Sequence, residues 1–201
     1  MSKSFKKYAC IGLCVSICIL GLALFGFYIG AGRYLAVPFF QVLDFQLAGL
    51  DESLASSKVN TESTFTMETR NQGKKMHLYY DDFYFSVHWK QVNMGHGKAA
   101  GFDQGTKNST YIHGSFRSSP ANIELGASEG AELADARNSG LLTLSIDVDV
   151  RTQWKDISGL KSDKFDARIE CKVSISPQIA SGSQLVYQKC EVLDFKCLAG
   201  C

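Results

Sequence analysis

The residues of this 201-residue chain whose types could support chemistry are four histidines, seven cysteines and a pair of aspartates set two apart. His77, His88, His96 and His113 show neither His-x-x-x-His nor Cys-x-x-Cys spacing, so no metal site is expected. Asp147 and Asp149 fall on one side of an alternating run, where two carboxylates could share acid–base work or hold calcium weakly. Alternating charge on the wet face of an antiparallel sheet explains them more simply. There is no Gly-x-Ser-x-Gly elbow, and the glycine-rich stretch Gly95 to Gly105 lacks the Lys-Ser/Thr ending of a phosphate loop. The expectation is a protein without catalytic residues and without a cofactor.

Recognition chemistry is better represented. Tyr79, Tyr80, Phe83, Tyr84, Phe85 and Trp89 are more aromatics than one inward strand face can take. Tyr84 and Trp89 are the candidates for contact with a partner, because exposed aromatics dominate interface energetics. Asn108-Ser109-Thr110 is the one Asn-x-Ser/Thr sequon, making Asn108 a candidate glycosylation site. Lys and Arg number 21 against 20 Asp and Glu, and no basic block follows the first seven residues, which argues against nucleic acid as a partner.

What positions these residues is set first by Ala9 to Ile29, 21 residues without a charge. As a helix this run would span roughly 30 Å at about 1.5 Å per residue, the thickness of a hydrocarbon core. Lys3, Lys6 and Lys7 precede it, and Arg33 is the one basic residue in the 24 that follow, so the N-terminus should stay cytoplasmic. Gly30, Ala31 and Gly32 are small enough for signal cleavage, but the apolar run exceeds the usual 7 to 15 residues. The reading is an uncleaved signal anchor: tail 1–8, membrane helix 9–29, stalk 30–40, folded domain 41–192 and a Cys-containing tail 193–201.

Cys10, Cys14 and Cys18 share one helix face; Cys10, nearest the cytoplasmic boundary, is either a palmitoylation site or a small packing residue. Beyond the span, strand patterns are read at Gln41 to Leu50, Thr61 to Thr69, Met76 to Tyr80, Phe83 to Trp89 and Lys107 to Phe116. Asp81-Asp82 reads as a turn, and Asn93 to Gly105 as a long glycine loop. A helix is read at Ala131 to Asn138, stopping at Gly140. Leu142 to Arg151, Phe165 to Ser176 and Gln184 to Val192 are the clearest strands. If the last two form a symmetric hairpin, Cys171 opposes Cys190, and the pair is either a disulfide or two buried thiols. Cys197 and Cys201 have several pairings open to them. About seven short strands and one helix imply an all-β antiparallel sandwich.

The order of these features resembles the plant late embryogenesis abundant group 2 domain, and in particular the membrane-anchored, harpin-induced and disease-resistance-like NHL proteins. The residues that carry the resemblance are Thr64 to Asn71, Tyr79-Tyr80-Asp81, then Phe102, Gln104-Gly105, Lys107-Asn108 and Thr110, and finally Cys171-Lys172-Val173 with Cys190-Glu191-Val192. Gln72-Gly73 stands where the family has Pro-Asn. The resemblance implies a fibronectin-III-like sandwich on the outer side of the plasma membrane. It also implies a non-enzymatic role in pathogen defence or stress response, with a protein or cell-wall ligand. The alternative it leaves open is a protective protein that stabilises membranes or proteins during dehydration or cold.

Overall fold

The computed structural model describes residues 16–24, 37–48, 58–59, 61–118, 123–178 and 182–195. Residues 16–24, in the middle of the uncharged run, are helical and exposed; the rest of that run lies outside the described residues. Among the described residues no helix is long and apolar enough to cross a membrane.

From Phe39 onward the protein is antiparallel β. In chain order the strands are β1 (Phe39–Ala48), β2 (Lys58–Val59), β3 (Glu62–Arg70), β4 (Met76–Trp89), β5 (Val92–Ala99), β6 (Phe102–Gln104), β7 (Ser109–Arg117), β8 (Ile123–Glu124), β9 (Leu142–Asp156), β10 (Phe165–Gln178) and β11 (Gly182–Phe195). Between β8 and β9 lies the helix α1 (Ala127–Asn138). β1 thus begins inside the expected stalk, and β11 runs into the expected tail.

The sandwich expectation is not met. Nine strands form one sheet in the order β1-β3-β7-β5-β4-β9-β10-β11, with β6 paired to β4, while β2 and β8 form a separate two-stranded ribbon. The ends of this row curl towards each other until β1 packs against β11, so the sheet nearly closes into a barrel. The cause is length: β4, β9, β10 and β11 are 14 or 15 residues long, and strands of that length accumulate twist. Register shifts in β1, β4 and β11 add curvature. One curled sheet can then enclose its own core.

The core is the inward face of every long strand. Phe65 meets Phe85 edge to face at 4.8 Å, and Phe83 stacks on Phe102 at 5.5 Å. Helix α1 covers the barrel end near the β4–β5 turn, with Leu133 fully buried and Ala136 packed against the core. It begins four residues before the sequence suggested, because the Glu129 carboxylate accepts the Gly126 N–H at 3.1 Å and holds the first turn. Gly140, at φ 78°, ends the helix as expected.

The glycine loop is not a loop. Asn93 to Gly105 supplies β5 and β6, and Gly95, Gly97 and Gly101 are there for close approach: a Cβ on Gly97 would lie 2.1 Å from the Ser115 carbonyl oxygen. β4 and β5 are joined by a tight turn at Lys90 and Gln91, with Lys90 at φ 52°.

The hairpin of β10 and β11 makes the anticipated cysteine pairing, although it is not symmetric: an extra residue in β11 between Leu185 and Tyr187 shifts the register on the way. Cys171 opposes Cys190, their Cα atoms are 4.0 Å apart, and the two sulfurs are bonded. Of the other cysteines, Cys18 is a free, exposed thiol, whereas Cys10, Cys14, Cys197 and Cys201 lie outside the described residues.

Candidate functional site

Asp81 and Asp82 organise a broad cleft on the outer wall. They do not turn the chain: β4 runs straight through them. Tyr80 pairs with Thr152 and Phe83 with Val150, so two residues of β4 face the single residue Arg151 of β9, which is a β-bulge. On the other edge the bulge separates β6, whose Phe102 pairs with Tyr80, from β5, whose Ala99 pairs with Phe83. Acidic residues suit this place because a carboxylate can take up a stray backbone N–H. Asp82 does so, accepting from Gly101 at 3.1 Å. Gly101 itself has no room for a side chain, since its Cβ would sit 2.3 Å from the Tyr80 carbonyl oxygen.

The bulge also resets the alternation. Tyr80 and Phe83, three apart, both point inward, and Phe85 and Trp89 follow them. This corrects the expectation for Trp89. It is 3% exposed and belongs to the core, with Lys90 Nζ 5.0 Å from its ring centroid, and is no partner contact in the folded domain. Tyr84 does point outward, 56% exposed, with Lys98 Nζ 5.5 Å from its ring centroid.

The cleft has a volume of about 940 Å³ and is lined by Tyr84, both bulge aspartates and side chains of β9 and β10. Four of its five lining carboxylates are paired: Asp81 with Lys164 at 2.8 Å, Asp82 with Lys98 at 2.7 Å, Asp149 with Arg168 at 2.8 Å, and Asp166 with Arg151 at 3.1 Å; the fifth, Asp103, is exposed. The hydrogen bond from Lys98 holds the Asp82 carboxyl below the usual carboxylate range, helped by the Gly101 N–H. The same contact raises Lys98. Asp147, further along β9, lies 3.5 Å from His88 Nε2. Asp147 and Asp149 therefore contact different side chains across the strands, His88 and Arg168. Such a surface offers paired donors and acceptors beside an exposed ring, which suits recognition of a polar, hydrogen-bonding ligand.

The other nominated residues lie elsewhere. Asn108 is exposed on the connection between β6 and β7. His113 Nδ1 is 3.2 Å from Thr66 Oγ1, and among the described residues no group of His, Cys, Asp and Glu could hold a metal ion. The run from Phe102 to Thr110 forms a structural knot. Gln104, fully buried, donates to the Thr69 carbonyl at 2.8 Å and to Thr110 Oγ1 at 3.3 Å. Asn71, also buried, donates to the carbonyls of Met76 at 2.7 Å and Gly105 at 3.0 Å, while its own Oδ1 accepts from the Gly73 N–H at 2.9 Å. These bonds lock the 71–75 and 105–108 connections together. Sequence reasoning missed the bulge; its one signal was that Tyr80 and Phe83 require a shift of phase to share a face.

No family model matches the chain, and no curated protein does. Among solved structures it is similar to a protein from Archaeoglobus fulgidus, described as "Crystal structure of protein from Archaeoglobus fulgidus", at 11% identity and a TM-score of 0.33. That match covers 69% of this chain and 99% of the other, and it is too slight to carry an argument.

Proposed function

We propose that this chain is a single-pass plasma-membrane protein of the late embryogenesis abundant group 2, NHL kind. Its N-terminus lies in the cytoplasm, and its β domain outside the cell binds a protein or cell-wall ligand without catalysing a reaction, in defence or stress response. The observation that carries the binding role is the cleft over the bulge, where exposed Tyr84 stands among four matched ion pairs. Because four of the five carboxylates in the cleft are matched by a cation, the cleft favours a ligand of low net charge and many hydroxyl or amide groups, such as a glycan or a peptide backbone. The disulfide of Cys171 with Cys190 supports placement in an oxidising compartment, and the lysines ahead of the uncharged run support the inward N-terminus.

The test is binding of cell-wall oligosaccharides and peptide libraries to the full chain in detergent, compared with Tyr84→Ala. Loss of about tenfold or more in affinity, or about 1.4 kcal/mol, with an unchanged melting temperature is the expected outcome. A ligand bound equally well by the variant would move the site away from this cleft.

A further inference from the structure

The two ends of the barrel are built differently. One is covered by α1. The other gathers the start of β1, the end of β11 and the connections 71–75, 105–108 and 157–164, as the registers Phe39 with Arg70, Met76 with Asp156 and Ala167 with Phe195 require. At this second end the chain makes a tight turn after β9. Asp156 donates its N–H to the Leu160 carbonyl at 2.9 Å, and its carboxylate accepts the Leu160 N–H at 2.9 Å and the Ser158 hydroxyl at 2.7 Å. The turn is anchored to the body by the Ile157 N–H, which donates to the Lys75 carbonyl at 3.0 Å. A turn so well tied has no need of apolar side chains at its tip, yet Ile157 is 69% and Leu160 63% exposed, more than any other large apolar residue among the described residues of the β domain.

The neighbouring connections carry lysines. Lys74, Lys75, Lys107 and Lys161 are exposed and Lys155 is half-buried, against Asp156, already engaged in its own turn, and Asp163. Lys155 and Lys161 face each other directly across an isolated β-bridge, where like charges repel unless an anion lies between them. Two exposed apolar side chains on a turn whose neighbouring connections carry lysines form the pattern of a surface that enters a lipid interface, with the alkyl groups below the headgroups and the ammonium groups at the phosphates.

We infer that this end of the barrel docks on the bilayer through Ile157 and Leu160, with the neighbouring lysines at lipid phosphates. The occupant follows from the length of chain outside the structure. From Ile29, the last residue of the uncharged run, to Val37 is eight residues, at most about 27 Å even when fully extended. The β1 end, and with it the turn after β9, is therefore tethered close to the membrane, and the phosphate groups of that membrane are the nearest dense anions. Docking orients the cleft over the bulge on the barrel wall, sideways to the bilayer and not towards it. The inference rests on the reading of 9–29 as a membrane span.

The experiment reconstitutes the full chain in nanodiscs of phosphatidylcholine, with and without phosphatidylglycerol, whose acyl chains are either plain or brominated. Leu160→Trp and, separately, Ile157→Trp report from the tip; Val186→Trp, exposed on the other half of β11, is the control. Emission unique to the tip variants should be blue-shifted and about halved by bromine, as for an indole lodged about 5–10 Å into the headgroup boundary, and phosphatidylglycerol should strengthen the effect. Emission from position 186 should not change. Alkaline extraction of the same samples reads the anchor independently. A chain that resists extraction while both tip reporters stay unquenched overturns the docking and leaves the span standing. A chain released by alkali overturns both. The native Trp89 and Trp154 emission verifies that each variant is folded.

Discussion

Reduction of the Cys171–Cys190 bridge tests the hairpin register, the compartment and the stability of the domain together. The bond links residues 19 apart across β10 and β11. In the chain-entropy description the cross-link removes about 11 cal/mol/K from the unfolded chain for a loop of this size, or about 3 kcal/mol at 25 °C. Comparing oxidised with reduced wild type isolates this contribution, because no atom is removed from the core. For a chain of this length about 3 kcal/mol corresponds to a fall in melting temperature of about 6–12 °C. The assay is near-ultraviolet circular dichroism of the full chain in detergent, with and without reductant, alongside a Cys171→Ala, Cys190→Ala double variant that should melt low and ignore reductant. A melting temperature that shifts by less than about 2 °C on reduction of the wild type would refute the reasoning. So would an equal shift in the double variant. The first result would mean that the hydrogen-bonded hairpin already restricts the unfolded chain as much as the bond does.

Two further outcomes separate packing from recognition. Trp89→Ala should cost about 3–5 kcal/mol in denaturant unfolding, because it empties a buried site under the β4–β5 turn, and it should weaken ligand binding only in proportion to the unfolded fraction. Burial raises the Tyr80 phenol above its ordinary value, with a smaller opposing effect from the neighbouring Thr69 hydroxyl. Its stabilising contribution is therefore complete below the unfolded phenol's pKa, about 10, and is lost as pH rises beyond it, by up to about 1.4 kcal/mol per pH unit. Stability against pH for wild type and Tyr80→Phe should run parallel below pH ~10 and converge in slope differently above it, with the variant losing less; identical slopes there would mean that the phenol is not shielded from water.

The turn after β9 and the cleft wall differ in chemistry. The first is a short apolar tip beside lysine-bearing connections, and the second a broad polar surface with one exposed ring. A protein held at its base by lipid and presenting its wall sideways is suited to ligands that lie along the membrane, including a neighbouring protein or a glycan strand close to the bilayer. The knot of Asn71, Gln104 and Gly105 lies between the two, fixing the connections at the base to the strands that carry the wall.

Much of this was written locally. The period-two alternation of Leu142 to Arg151 and Phe165 to Ser176 identifies strands without reference to anything distant, because neighbouring side chains on a strand face opposite sides. Counting from the turn alone sets Cys171 opposite Lys189; the extra residue of β11 between Leu185 and Tyr187 is what moves Cys190 into place, so the pairing in the structure depends on a bulge that the alternation does not show. Gly140 marked the helix end for an equally local reason, the positive φ required there.

What only the tertiary structure decided depends on neighbours remote in sequence. The glycines at 97 and 101 look like loop residues until the Ser115 and Tyr80 carbonyls are seen pressed against them. Asp81-Asp82 satisfies equally the chemistry of a turn and of a bulge, and only pairing with Arg151 and its neighbours on β9 selects the bulge. That choice sends Trp89 into the core and leaves Tyr84 outside. Whether long strands divide into two sheets or curl into one is likewise absent from any single strand: it emerges from the summed twist and bulges of strands packed side by side.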